Sequence, residues 1–173
     1  LFDPDDLESA RALFEQLTRR NVVGVAHGRA LENEASALGR RVHDLMMARD
    51  LEGLAGGIDD NFVGHSARRF RTMDSFSFDE FREQWFAVWD TEGTPNDTTE
   101  TVLAVRGGTL ALAEVAGEFG DAVSTSLALV RSAGGRLAEL WFFDTEDLPE
   151  ALDELDRQFE STLGPVTEAV SIA

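Results

Sequence analysis

From Thr98 onward the apolar residues change their spacing, and this change constrains the fold more than any other feature of the chain. Before it, apolar positions recur on helical stripes. Leu31, Ala35, Leu38, Val42, Leu45 and Met46 predict a helix over 31–49 with one buried face. Asp50-Leu51-Glu52-Gly53-Leu54 reads as a short helix stopped by Gly56-Gly57, and residues 58–65 read as extended. Ser77-Phe78-Asp79-Glu80 is a capping box, and the helix it opens carries Phe78, Phe81, Trp85, Val88 and Trp89 on one side. Residues 93–97, Gly-Thr-Pro-Asn-Asp, end it. After Thr98 the period is two, which predicts strands over 99–106, 109–119 and 122–131. Gly107-Gly108 joins the first pair, and Gly134-Gly135 makes a further hairpin, since glycine supplies the positive φ that tight turns need. Residues 137–143 form the last strand, and Asp144 is placed to cap a closing helix through Phe159. Helices first, then an antiparallel meander and a final helix, is an α+β order.

A second pattern links the two ends. Leu1-Phe2-Asp3-Pro4-Asp5-Asp6-Leu7-Glu8-Ser9-Ala10 returns as Phe142-Phe143-Asp144-Thr145-Glu146-Asp147-Leu148-Pro149-Glu150-Ala151, with a period of 141 residues. Both copies place a strand end, a helix-capping Asp and an acidic first turn, where the helix dipole favours negative charge. The expected organisation is therefore the C-terminal helix of a preceding similar domain over 1–20, with Leu7, Ala10, Leu13, Phe14 and Leu17 on its apolar stripe. A linker over 21–30, one domain over 31–160 and a tail over 161–173 follow. A chain that opens on Leu rather than Met fits a piece of something longer.

Composition excludes several chemistries. Cys, Tyr and Lys are all absent, which removes disulfides, thiolate nucleophiles, Schiff-base lysines and tyrosine donors. All 15 positive charges are Arg; against 33 acidic residues they leave a net charge of −18, which repels nucleic acid and anionic lipid. No apolar run reaches the ~20 residues of a membrane span. Such an acidic, lysine-free chain fits a high-GC bacterium, and a cytoplasmic location is the expectation. No metal cluster, phosphate loop, nucleophile elbow or dinucleotide fingerprint is visible, so no cofactor is expected.

Three local patterns resemble the nuclear transport factor 2-like superfamily, and within it the SnoaL-like domains. Met47-Ala48-Arg49-Asp50-Leu51-Glu52-Gly53-Leu54 followed by Asp60-Asn61-Phe62-Val63 is similar to the family's opening helix pair and first strand. Residues 106–112, Arg-Gly-Gly-Thr-Leu-Ala-Leu, resemble its central hairpin, and residues 135–144 its last strand. The resemblance implies a cone, in which a strongly bent, mostly antiparallel sheet wraps around N-terminal helices and an apolar pocket opens between them. It also implies a homodimer. Its functions run from isomerases, cyclases and dehydratases to non-catalytic binding modules, and the absence of Tyr departs from the isomerase pattern.

Two readings of the polar residues follow. In the first, His65, beside Arg68, Arg69 and Arg71, is a neutral general base, Glu114 or Asp60 is the acid or orienter, and Arg68 or Arg69 stabilises an anion. In the second, the arginines pair with the abundant acids and His65 is partly exposed. Glu114 and Glu139 sit on apolar strand faces, as raised-pKa pocket acids or as marks of a half-exposed face. Trp85, Trp89, Trp141 and Phe142, with Phe78 and Phe81, either line a ligand cavity or form core. His43 and His27 are expected to be structural or solvated. The expected function is a non-catalytic ligand-binding or assembly module that takes a small apolar molecule or a partner domain. The alternative is an isomerase, cyclase or dehydratase that moves protons on an apolar carbonyl substrate.

Overall fold

A computed structural model of the chain describes residues 31–69, 74–92, 97–119 and 122–163, without the side chains of 88, 89, 91, 92, 97, 119 and 122. The expected preceding-domain helix and linker, residues 1–30, lie outside the described residues. The elements run α1 (Glu34–Met47), α2 (Leu51–Gly57), β1 (Ile58–Ser66), β2 (Ser75–Phe76), α3 (Phe78–Glu92), β3 (Asp97–Arg106), β4 (Leu110–Phe119), β5 (Ala122–Ala133), β6 (Arg136–Phe143), a 3₁₀ turn (Thr145–Asp147) and α4 (Leu148–Leu163). The six strands form one sheet in the order β2-β1-β6-β5-β4-β3. All pairs are antiparallel except β1 with β6. Register shifts in β1, in the β3–β4 pair and in the β5–β6 pair bend the sheet into the curved form the resemblance implies.

Local chemistry sets where the helices begin. Asn33, not Leu31, opens α1: its side chain accepts from the Ser36 N–H (2.8 Å) while Ser36 Oγ accepts from the Asn33 N–H (2.9 Å). The Asn33 Nδ2 group also donates to the carbonyls of Gly107 (3.1 Å) and Leu110 (2.9 Å), which pins the helix start to the β3–β4 hairpin. Leu31 therefore lies outside the helix and is exposed rather than on the buried stripe. Asp50 caps α2 through the Gly53 N–H (2.9 Å). The Ser77 capping box forms as read: the Glu80 N–H donates to Ser77 Oγ (3.3 Å), while the Ser77 N–H and hydroxyl both donate to the Glu80 carboxyl (2.8 Å each) and hold it below the usual range. At the other end α4 runs past Phe159 to Leu163, and the Ser161 and Thr162 hydroxyls in its last turn donate back to the Gln158 and Phe159 carbonyls (2.7 and 2.6 Å).

The sheet has two covered faces. Against one pack α1 to α3, with Ala35, Leu38, Val42 and Met46 of α1 on Ala111, Ala128, Val130 and Leu140. Against the other lies α4, whose Ala151 and Leu155 are fully buried on Leu110, Leu112, Leu127 and Leu129. Burying a Leu side chain is worth roughly 1.5–3 kcal/mol, so this second, leucine-built core is a main anchor of α4. Asp144, expected to cap the closing helix, makes no side-chain cap bond and instead faces the segment that leaves β1.

Candidate functional site

Which face each polar residue takes follows from strand register. His65 pairs with Trp141, and Val63 with Glu139, across the parallel β1–β6 ladder; Glu139 pairs in turn with Arg131 on β5. These side chains share the α4 face of the sheet. His65 stacks on Trp141, with ring centroids 4.9 Å apart and planes 13° from parallel. Its Nε2 lies 3.6 Å from Glu139, beyond hydrogen-bond reach, and this buried nitrogen has no hydrogen-bond partner. The Glu139 carboxylate is taken by the Arg131 guanidinium. Burial lowers the His65 pKa, which leaves the ring neutral at pH 7.

Between α4 and strands β1 and β6 lies an open groove of about 340 Å³, lined by His65, Ser66, Ala67, Glu139, Trp141, Phe143, Glu154, Arg157 and Gln158. Glu154 is buried there at 7% exposure, held by Gln158 Nε2 (2.7 Å) and by Arg157. Glu154, Arg157 and Gln158 were not among the sequence candidates. The signal for them was their i, i+3 and i, i+4 spacing on one helix face.

The other expected partners of His65 lie elsewhere. Glu114 points to the same face but is three strands away, about 14 Å across the sheet at ~4.8 Å per strand. Asp60 is five residues back along β1, its carboxylate is 84% exposed, and it pairs with Arg136 (2.8 Å). Arg68 Nε donates to Asp144 (3.0 Å), and the Arg69 backbone N–H donates to the same carboxylate (2.8 Å). The Arg69 guanidinium reaches Glu146 (3.2 Å) and Asp147 (3.5 Å). These bonds, led by the Arg69 N–H, hold the Asp144 carboxyl below its usual range. Arg71 lies outside the described residues.

The aromatic candidates divide between the two faces. Trp141 belongs to the α4 side, while Trp85 and Phe142 pack on the side of α1 to α3. There Phe76 stacks on Phe81 (5.4 Å) and Phe142 (6.4 Å), Phe81 stacks on Phe142 (5.8 Å), and Trp85 meets Phe81 edge-on (6.0 Å). The Trp89 side chain is outside the described set. Gly64 is required here, since a Cβ at that position would stand 1.8 Å from the Phe76 ring. His43, on α1, is partly buried, and burial lowers its pKa. Among the described residues no group of three or more His, Cys, Asp or Glu could hold a metal ion, and no helix is long and apolar enough to cross a membrane.

No protein-family model matches the chain, and no curated protein matches it. Solved structures do. Bal32a, from a soil-derived mobile gene cassette, matches with a TM-score of 0.50 at 18% identity, over 64% of this chain and 90% of that one. A Xanthomonas campestris protein with a cystatin-like fold matches at 0.50 and 12% identity, over 69% and 95%. A de novo designed protein with a curved β-sheet matches at 0.50 and 10% identity, over 72% and 96%. Likeness at this identity concerns architecture, and function has to be argued from the site. The described part of this chain has the nuclear transport factor 2-like, cystatin-like fold.

Proposed function

We propose that residues 31–163 are a non-catalytic SnoaL-like module, which binds a small apolar molecule or a partner domain within a larger bacterial protein. The observation that carries this is the dispersal of the proton-transfer set. A general base works only when base, acid and substrate proton meet within hydrogen-bond reach. His65 has no hydrogen-bonded acid: Glu139 stands 3.6 Å away and is engaged by Arg131, Glu114 is strands away, and Asp60 is solvated. The two arginines that would hold an anion are spent on Asp144, Glu146 and Asp147. The rings of Phe76, Phe81 and Phe142 pack on one another on the side where the resemblance implies a pocket.

One observation favours the alternative, an isomerase, cyclase or dehydratase acting on an apolar carbonyl compound. A neutral His65 with an unpartnered Nε2 lines a groove that also holds two carboxylates, Glu139 and Glu154. A thermal-shift screen of apolar carbonyl compounds, followed by product assays on every hit, separates the two. Stabilisation without product supports the module; turnover supports the enzyme.

A further inference from the structure

In the groove beside α4 a ring nitrogen and a carboxylate oxygen face each other with no donor between them. His65 Nε2 stands 3.6 Å from Glu139 Oε2, too far for a hydrogen bond, and has no partner. An N–H on that nitrogen would be drawn onto the carboxylate. The gap therefore assigns the proton of the neutral ring to Nδ1 and leaves Nε2 a bare acceptor, held off by the like charge density of Oε2. Arg131 engages Glu139 at its other oxygen, Oε1. A carboxylate has room for about four hydrogen bonds, so this guanidinium does not exhaust it.

Two acceptors at this spacing have a definite complement. A nitrogen placed ~2.9 Å from both can give one N–H to each. The group must carry more than one donor and no acceptor, which describes a primary ammonium. The chain has no lysine, so none of its own side chains supplies one.

The surroundings fit such a guest. A groove of about 340 Å³ is of small-molecule size, and Ala67, Trp141 and Phe143 give its lining an apolar part. The charged groups around His65 are Glu139 on β6, Arg131 on β5, and Glu154 and Arg157 on α4. Glu154 is taken by Arg157 and by Gln158 Nε2 (2.7 Å), so the open acceptors lie at the Glu139 end. A net charge of −18 over the whole chain also draws cations.

We propose that the groove between α4 and strands β1 and β6 binds a small primary amine with an apolar body, its ammonium bridging Glu139 Oε2 and His65 Nε2 and its body lying toward Trp141 and Phe143. The site is on the opposite face of the sheet from the pocket that the resemblance implies. Its occupancy does not depend on whether the domain is catalytic.

The test is a calorimetric titration of the full chain at neutral pH with 2-phenylethylamine. Two compounds with the same body serve as comparisons: 2-phenylethanol, with a single donor and no charge, and trimethyl(2-phenylethyl)ammonium, with the charge and no donor. The amine should bind with a Kd of about 1 mM or tighter, a modest demand on about nine heavy atoms, and the other two about ten-fold more weakly or worse. Glu139→Gln, and His65→Phe, which keeps a ring against Trp141, should each weaken the amine about ten-fold. Should Glu139→Gln not fold with Arg131 left unpaired, His65→Phe carries the same expectation, and the amine should shift the wild-type amide resonances at 65–67 and 139–141. No binding at about 10 mM amine, equal binding of the quaternary ammonium, or unchanged affinity in His65→Phe would overturn the proposal.

Discussion

The two faces of the sheet are built from different materials. On the side of α1 to α3 the interior is aromatic, with Phe76, Phe81, Phe142 and Trp85 packed ring on ring. On the α4 side it is aliphatic beneath the helix and polar beside it, where His65, Glu139, Glu154 and Arg157 border an open groove. The lesson is that fold and chemistry are separable here. The face on which the resemblance implies a ligand pocket holds stacked rings, while His65 and its nearest carboxylates lie on the opposite face without assembling a hydrogen-bonded acid and base.

The contrast breaks most directly at its anchors. Leu155→Ala removes a fully buried side chain from the leucine core beneath α4 and leaves a cavity there. It should cost about 2–5 kcal/mol of unfolding free energy, read from urea denaturation. A loss below 1 kcal/mol would mean that α4 is only loosely seated.

Gly64→Ala challenges the aromatic face instead. The added methyl meets a Phe76 ring that is itself stacked against Phe81 and Phe142, so the ring has nowhere cheap to go. A destabilisation of about 1–3 kcal/mol is expected from such overpacking, with near-ultraviolet circular dichroism changing as the rings shift. An unchanged spectrum and midpoint would show that this interior has slack enough to admit a ligand.

Acid should act more gently, and on both faces. Burial lowers the pKa of His65 on the α4 side and of His43 on α1. Between each lowered value and the ordinary one the unfolded chain binds more protons, so stability falls as pH drops below the usual histidine range and levels off beneath the folded pKa. Glu100, whose carboxyl is raised by burial, contributes with the opposite sign nearer the carboxylate range. Asp144, held low by its bonds to Arg69 and Arg68, loses its stabilising contribution only in stronger acid. Melting curves from pH 7 to 5.5 should show a modest decline that His65→Asn and His43→Asn each flatten in part; an unaltered slope in both variants would assign the decline elsewhere.

Much of this architecture was legible from the sequence because its signals are local. The Ser77 box and the glycine turns at 107–108 and 134–135 rest on residues adjacent or a few positions apart. The site was less legible because it depends on register. Counting outward from the Gly134-Gly135 hairpin pairs Ala133 with Arg136 and Ser132 with Leu137, but a bulge then shifts the ladder and sets Arg131 against Glu139. A second irregularity between Ile58 and Val63 separates Asp60 from the regular pairing that places His65 beside Trp141. Since one residue of slip reverses every side chain, counting along β1 does not assign His65 to a face. The clasp of Arg68 and Arg69 joins residues some 75 positions apart, and no local pattern announces it.

The separation of fold from chemistry is tested most directly at His65. His65→Ala should be compared with the wild-type chain for binding and for turnover of the apolar carbonyl compounds that raise the melting temperature. In a non-catalytic module affinity stays within a few-fold and neither protein forms product. Turnover by the wild-type chain that falls about 10²- to 10⁴-fold in the variant, the usual effect of losing a general base, would contradict it.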